Sequence, residues 1–319
     1  MWYFLRLRKQ KGGVSDNMIS DIALKICYLK GKKQIRTKAQ FWKDFSTEKT
    51  INSFVSNEEF EQKKDMIKAD LYAQKLDGVI CAFDKGFPKT SEDIKKSERP
   101  YLLFYRGNID LLKDPNNNVA VIGVLNPTQS IVDREKKVVS SLIQKNITIV
   151  SGLAKGCDEV AHVECLNQGG KTIAILPSTI NNILPASNRQ LAESIVNNGG
   201  LLITEYIDEP SNRYDATSRY IERDRLQAMF AKAVILIASY EQGKGDSGSR
   251  HAMKYAESYG IQRFAMFDEN TDMFDERFEL NKNLILAKKA RILHKSSIDE
   301  IGGNKTIAQD EIFEQMRLI

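Results

Sequence analysis

Two glycine-bracketed segments hold the residue types that bind anions. In SGLAKGCDEVAH, residues 151–162, Gly152 and Gly156 bracket a loop leading into a helix expected to begin near Asp158. A helix start exposes main-chain N–H groups at the positive end of the macrodipole, and glycine lets a phosphate approach the backbone. Ser151 and Lys155 add a hydroxyl and a positive charge, whereas the Asp158 carboxylate caps the helix and repels phosphate. The second segment, SYEQGKGDSGSRHAMKYAE at 239–257, alternates Gly243, Gly245 and Gly248 with Lys244, Ser247, Ser249 and Arg250. A third candidate is SRYIERDRLQAMFAKA, where Arg219, Arg223 and Arg225 cluster near a helix start. Guanidinium forks suit phosphate, but Arg223 and Arg225 are two apart and do not share a helix face. Each feature leaves a plain alternative open: a strand-to-helix turn, a surface loop, or ion pairs of the arginines with Glu222 or Asp224.

VAVIGVLNPTQS has only Gly123 at its turn, so the G-x-G-x-x-G dinucleotide fingerprint is absent. Thr128 or Ser130 is placed to cap the next helix. There is no Walker loop, no G-x-S-x-G elbow and no H-E-x-x-H. His162, His251 and His294 form no metal-ligand pattern, and His162 reads as a packed or hydrogen-bonded structural residue. No carboxylate pair stands out for acid–base work. A binding protein without catalytic, metal or cofactor chemistry is the expectation.

The elements that must position these loops follow from periodicity. Apolar, β-branched runs at 119–124, 147–152, 171–177, 200–206, 233–239 and 262–267 alternate with helix-like stretches near 130–145, 157–168, 187–198, 219–231 and 248–259. Continuous apolar strands are buried on both faces, and strand–helix alternation builds right-handed βαβ units. The spacing predicts an α/β fold, a Rossmann-like doubly wound, mostly parallel sheet with ligands beyond the carboxyl ends of its strands. Residues 1–69 are charged with apolar residues at helical spacing (Ile19, Ile22, Ala23, Ile26, Cys27; Phe54, Phe60, Met66, Ala69) and predict a small helical domain with a turn at Lys11-Gly12-Gly13. Residues 70–118, with a strand candidate at 77–83 and punctuated by Pro88 and Pro100, read as a connecting segment leading into the sheet. The sheet domain is expected over 119–300, with a last strand at 290–294. Residues 301–319 form a tail with a helix over 305–317.

At 319 residues, 42% hydrophobic and 28% charged, the chain can bury a sizeable core, which excludes wholesale disorder. No apolar run approaches the ~20 residues that span a bilayer, and the first residues lack a secretory cleavage pattern. Cys27, Cys81, Cys157 and Cys165 show neither C-x-x-C nor zinc spacing, so reduced thiols in a cytoplasm are expected. The net charge is +5, unevenly spread. Residues 1–40 carry Arg6, Arg8, Lys9, Lys11, Lys25, Lys30, Lys32, Lys33, Arg36 and Lys38 against Asp16 and Asp21, roughly +8, leaving about −3 elsewhere. Bulk charge therefore does not make most of the chain a polyanion binder. Local groups must do so.

Taken in order, SGLAKGCDEVAH, GGKTIAILPSTINNILPASNRQL, GGLLITEY, YIERDRLQAMFAKAVILIAS and DSGSRHAMKYA resemble the DprA/Smf family of DNA-processing proteins, within a wider Rossmann-like superfamily. The resemblance covers roughly residues 70–300. It implies a protein that binds single-stranded DNA, helps load a RecA-type recombinase, self-associates as a homodimer and is neither an enzyme nor metal-dependent. Ser151, Gly152, Ala154, Lys155, Gly156 and Asp158 match the family's SGxAxGxD loop, and Lys171 follows its double glycine, here Gly169-Gly170. Arg223 and Arg225 match its R-N-R signature, and Ser247, Gly248 and Ser249 its S-G-S loop. Leu125 stands where the family has arginine after Gly123, Asp224 replaces the asparagine between the arginines, and Arg250 offers partial compensation. The tail is expected to be too short for the family's winged helix, which suggests a divergent member. Two other functions are weighed. One is a regulatory or antitoxin-like module restraining a toxin or effector in anti-phage defence. The other is a nucleotide phosphoribohydrolase, whose P-G-G-x-G-T loop has no counterpart in GKGDSGSRHA although Glu257 follows on the helix.

Overall fold

A computed structural model describes residues 19–303. Arg6, Arg8, Lys9 and Lys11, the turn expected at Lys11-Gly12-Gly13 and the helix expected over 305–317 lie outside the described residues. In chain order the elements are α1 (Asp21–Gly31), α2 (Lys38–Asp44), α3 (Glu48–Phe54), α4 (Asn57–Ala73), β1 (Gly78–Cys81), β2 (Leu102–Gly107), β3 (Asn118–Ile122), α5 (Gln129–Ile143), β4 (Thr148–Ser151), α6 (Cys157–Asn167) and β5 (Thr172–Ile175). They continue with α7 (Arg189–Asn197), β6 (Leu201–Thr204), α8 (Arg213–Met229), β7 (Ala233–Leu236), α9 (Arg250–Ser258), β8 (Gln262–Ala265), α10 (Glu269–Asp272), α11 (Glu279–Leu286), β9 (Arg291–Ile292) and α12 (Lys295–Gly302). The chain is α/β, and its sheet is mostly parallel, as the alternation predicts. The described residues fall into two compact units, one within Met1–Asp114 and Ala174–Arg223, the other within Pro115–Ile173 and Asp224–Ile319.

Among the described residues the first unit begins with four helices. Each starts where a hydroxyl accepts the N–H three residues on: Ser20 from Ala23, Thr37 from Gln40, Thr47 from Thr50, Ser56 from Glu59. Such caps fix the helix starts, and α1, α2 and α3 are too short to hold on propensity alone. Leu24, Ile26, Leu29, Phe41, Ile51, Phe60 and Leu71 form their buried face. Phe54 and Met66 fit the helical spacing, but the structure puts them outside, 57% and 53% exposed. The stretch read as a connecting segment supplies β1, on the strand candidate at 77–83, and a second strand, β2: β1 pairs antiparallel with β2, and β2 with β6. Phe41 of α2 stacks on Tyr101, just before β2, at 4.1 Å and 15°.

In the second unit the strands lie in the order β4-β3-β7-β8-β9, and β3 with β4, β3 with β7, β7 with β8 and β8 with β9 pair in parallel: Ala120 faces Val150 on one side and Val234 on the other. β3 is followed by β4 on one flank, and β7 later joins the opposite flank. The winding direction therefore reverses at β3, and the crevice at the carboxyl end of such a switch point is where doubly wound sheets bind ligands. α5 turns Ile131, Val138, Val139 and Leu142 into a core with Val119, Val121, Ile235 and Phe264. The fully buried Asn281 of α11 closes the ends of β7 and β8. Its amide donates to the carbonyls of Leu236, Ile237 and Met266 and accepts the Ser239 N–H at 3.1 Å.

Candidate functional site

The loops after β4, β3 and β7 meet at the switch point. Gly156 caps α6 at φ 76° and ψ −127°, and its α-carbon faces the carbonyls of Val124 and Leu125 so closely that a Cβ would clash with both. A Cβ on Gly123 would lie 2.5 Å from the Cys157 sulfur. The third loop ties in through Asp246, whose carboxylate accepts the Leu125 N–H at 2.7 Å, and through Ser249, whose hydroxyl donates to the Gly123 carbonyl at 3.0 Å. The glycines are thus needed for backbone-to-backbone approach, and they bring Lys155 and Arg250 onto one rim.

Several expected donors are used internally. Ser151 is buried and donates to the Val121 carbonyl at 2.7 Å. The N–H groups of Gly152 and Ala154 point at the Asp158 carboxylate, at 3.1 and 3.4 Å, and that of Gly248 at Asp246, at 3.3 Å. Ser247 is 7% exposed and receives Arg250 Nη1 on both its carbonyl and its hydroxyl. Two of the chain's own carboxylates therefore stand where phosphate was expected. What is exposed is Lys155 and the Leu125 side chain, with the half-buried Arg250 beside them, its Nη1 held by Ser247.

The remaining sequence candidates lie elsewhere. Lys171 is exposed, but its carbonyl accepts the Ile149 N–H at the start of β4, so it sits at the amino end of the strands while Lys155 follows their carboxyl end. Arg223 and Arg225 lie in the middle of α8 at 7% and 1% exposure, Arg223 with its guanidinium 5.9 Å from the Tyr220 ring centroid. Arg219 clamps the loop after β6: it pairs with Asp215 at 3.2 Å, donates to the carbonyls of Asp208 and Glu209, and lies 4.3 Å from the Tyr206 ring centroid. His162 is fully buried and structural. The Thr172 hydroxyl donates to the Ile149 carbonyl, so it accepts the His162 Nδ1–H at 2.7 Å. Glu257, the residue considered for nucleotide hydrolysis, is ion-paired with Lys289 at 3.3 Å. Among the described residues no group of His, Cys, Asp and Glu is arranged to hold a metal, and no helix is long and apolar enough to cross a membrane.

Beneath the rim, sequence reasoning missed Glu135 on α5. Its side chain is fully buried next to Cys157, and burial, reinforced by the Asp158 carboxylate, holds its carboxyl well above the usual carboxylate range. Burial, then the neighbouring Glu135, also pushes the Cys157 thiol up. With the folded value raised, the unfolded chain loses its proton first as pH rises. Stability then falls from the ordinary carboxylate range upward until the folded group also ionises. Glu135→Gln should flatten that loss, which is at most about 1.4 kcal/mol per pH unit for one proton. Urea denaturation of both proteins at pH 5 and pH 8 measures it, and parallel pH dependences would contradict the assignment.

Comparison with known proteins places the chain. A model of the DNA recombination-mediator protein A family matches residues 78–302. The protein Smf of Synechocystis is 29% identical over 197 residues, covering 61% of this chain and 47% of its own. The DNA processing protein DprA of Streptococcus pneumoniae is 34% identical over 169 residues, covering 53% of this chain and 56% of its own. The chain thus spans about half the length of these curated relatives. The X-ray structure of the S. pneumoniae DprA superposes with a TM-score of 0.64 at 24% identity, covering 95% of this chain and 98% of that one. DNA processing protein A of Helicobacter pylori, a structure concerned with its single-stranded DNA binding mode, superposes at 0.56 and 24% identity, covering 70% and 94%. At that identity the two superpositions speak for the fold.

Proposed function

The chain belongs to the DNA recombination-mediator protein A family, the DprA/Smf proteins, and from that premise we propose that it binds single-stranded DNA without chemistry of its own, in DNA processing and recombination. The observation that carries the reading is the rim at the β3 switch point, where three knitted loops carry the exposed Lys155 and the half-buried Arg250. Cations on a rigid edge can track a strand's phosphates with little regard for sequence. Single-stranded DNA is also what the H. pylori relative binds. Handing the strand to a RecA-type recombinase, and self-association as a homodimer, belong to the same proposal.

The test is oligonucleotide binding at two or more salt concentrations, with single- and double-stranded DNA in parallel. Two phosphate contacts on a single strand give a slope of log K against log salt of roughly −1.4. Asp246→Asn should tighten binding several-fold, on the order of 0.5–1 kcal/mol, because it removes a negative charge from the rim while an acceptor for the Leu125 N–H remains. Affinity that ignores both salt and this substitution would place the strand somewhere else.

A further inference from the structure

The first unit holds a cleft of about 390 Å³ beyond the carboxyl end of β6. Its walls include Lys30 from α1, Arg36 and Lys38 at the start of α2, Tyr101, Tyr206 and Glu222. Sites for small organic ligands begin at roughly 300 Å³. The charged groups converge from separate elements. Lys38 Nζ lies 2.6 Å from Glu222 Oε2 and 4.0 Å from Glu205 Oε2, and Lys30 Nζ donates to the Glu205 carbonyl at 3.0 Å. Arg36 is exposed and donates through Nε to the Lys33 carbonyl at 3.2 Å. Three basic side chains thus face two carboxylates across the cleft.

Lys30 enters from α1 and lies 5.9 Å from the Tyr101 ring centroid. Burial holds its amine below the ordinary lysine range, against the opposing pull of Glu205 and Asp208, with Cys27 also raising it and Lys38 lowering it further. An anion in the cleft would restore the electrostatic environment that burial removed. The two carboxylates give such a ligand a second requirement, because they accept hydrogen bonds from hydroxyl or amino groups and repel a bare anion.

We propose that this cleft binds a small phosphorylated organic molecule of mononucleotide size, its phosphoryl group held by Arg36 and Lys38, its body against Tyr101 and Tyr206 and its polar donors on Glu205 and Glu222. The proposal does not rest on the DNA-binding reading.

Calorimetry on the full chain tests this with adenosine monophosphate, adenosine and inorganic phosphate. The expected result is saturable binding of the monophosphate, about tenfold or more tighter than either fragment. Arg36→Ala lies on the surface and leaves the Lys38–Glu222 pair intact. It should weaken binding about tenfold. Lys155→Ala should leave it unchanged. The proposal is overturned if the monophosphate does not saturate, if phosphate alone binds as well, if Arg36→Ala is silent, or if Lys155→Ala is the substitution that weakens it. Loss of oligonucleotide affinity in Arg36→Ala, without monophosphate binding, would overturn it too and assign the cleft to the DNA strand.

Discussion

Gly156→Ala should destabilise the fold by about 3–4 kcal/mol, the largest effect of a single methyl group anywhere on the rim. Two independent costs meet there. At φ 76° and ψ −127° the backbone lies where residues with a Cβ are strained. The new methyl would also press on the carbonyls of Val124 and Leu125, main-chain groups anchored by β3 that cannot swing away. The Val124 carbonyl is also the acceptor for the Cys157 N–H at 3.0 Å, so any relief disturbs the start of α6. Gly169 separates the two costs. It has φ 70° with nothing within 4 Å of a built Cβ, so Gly169→Ala should lose only about 1 kcal/mol. Urea denaturation of the two variants decides the matter: equal losses would show that the close approach of the loops contributes nothing. Lys155 adjoins Gly156, so the first variant should also misplace the rim cation and weaken oligonucleotide binding in the fraction that remains folded.

The strands after residue 118 were legible because burial on both faces leaves only apolar, β-branched residues between turns, and the glycine loops because nothing else permits such close backbone approach. What escaped is the long-range pairing of short polar residues. DSGSR reads as a run of donors, yet Asp246 spends its carboxylate on Leu125, 121 positions earlier. Lys171 adjoins a glycine pair in sequence and invites grouping with the other loops, but it precedes a strand where they follow one, so the length of the strand separates them. Arg225 was grouped with surface cations, while its place on α8 buries it to 1% exposure. YLLFYRG, just after Pro100, reads as an extended lead-in. That it returns antiparallel against β6 depends on residues about a hundred positions later, which no local pattern reveals. Glu135 escaped for the opposite reason: a lone glutamate on an amphipathic helix reads as a solvated position, and only packing against Cys157 shows otherwise.

Removing both rim cations, Lys155→Ala with Arg250→Ala, should weaken single-stranded DNA binding at low salt by about 2–4 kcal/mol, or roughly 30- to 1000-fold. The same double variant should lose about 1.4 from the magnitude of the salt slope, since each lost phosphate contact on a single strand removes about 0.7. The slope matters more than the affinity, because a general loss of folded protein lowers apparent affinity without changing the number of ions released. The Arg250 change carries a structural cost, as its guanidinium holds Ser247 at 2.7 Å, whereas Lys155 is exposed and should alter stability by less than about 0.5 kcal/mol. Lys155→Ala alone therefore isolates the electrostatic share. Lys171→Ala is the matched control: it removes an exposed lysine of the same charge at the other end of the strands and should leave affinity within about twofold. If Lys171→Ala weakens binding as much as Lys155→Ala, the strand runs across the sheet from edge to edge, and the rim is only one end of its path. If neither does, the carboxylates of Asp158 and Asp246 close the rim to polyanions as well as capping its amides.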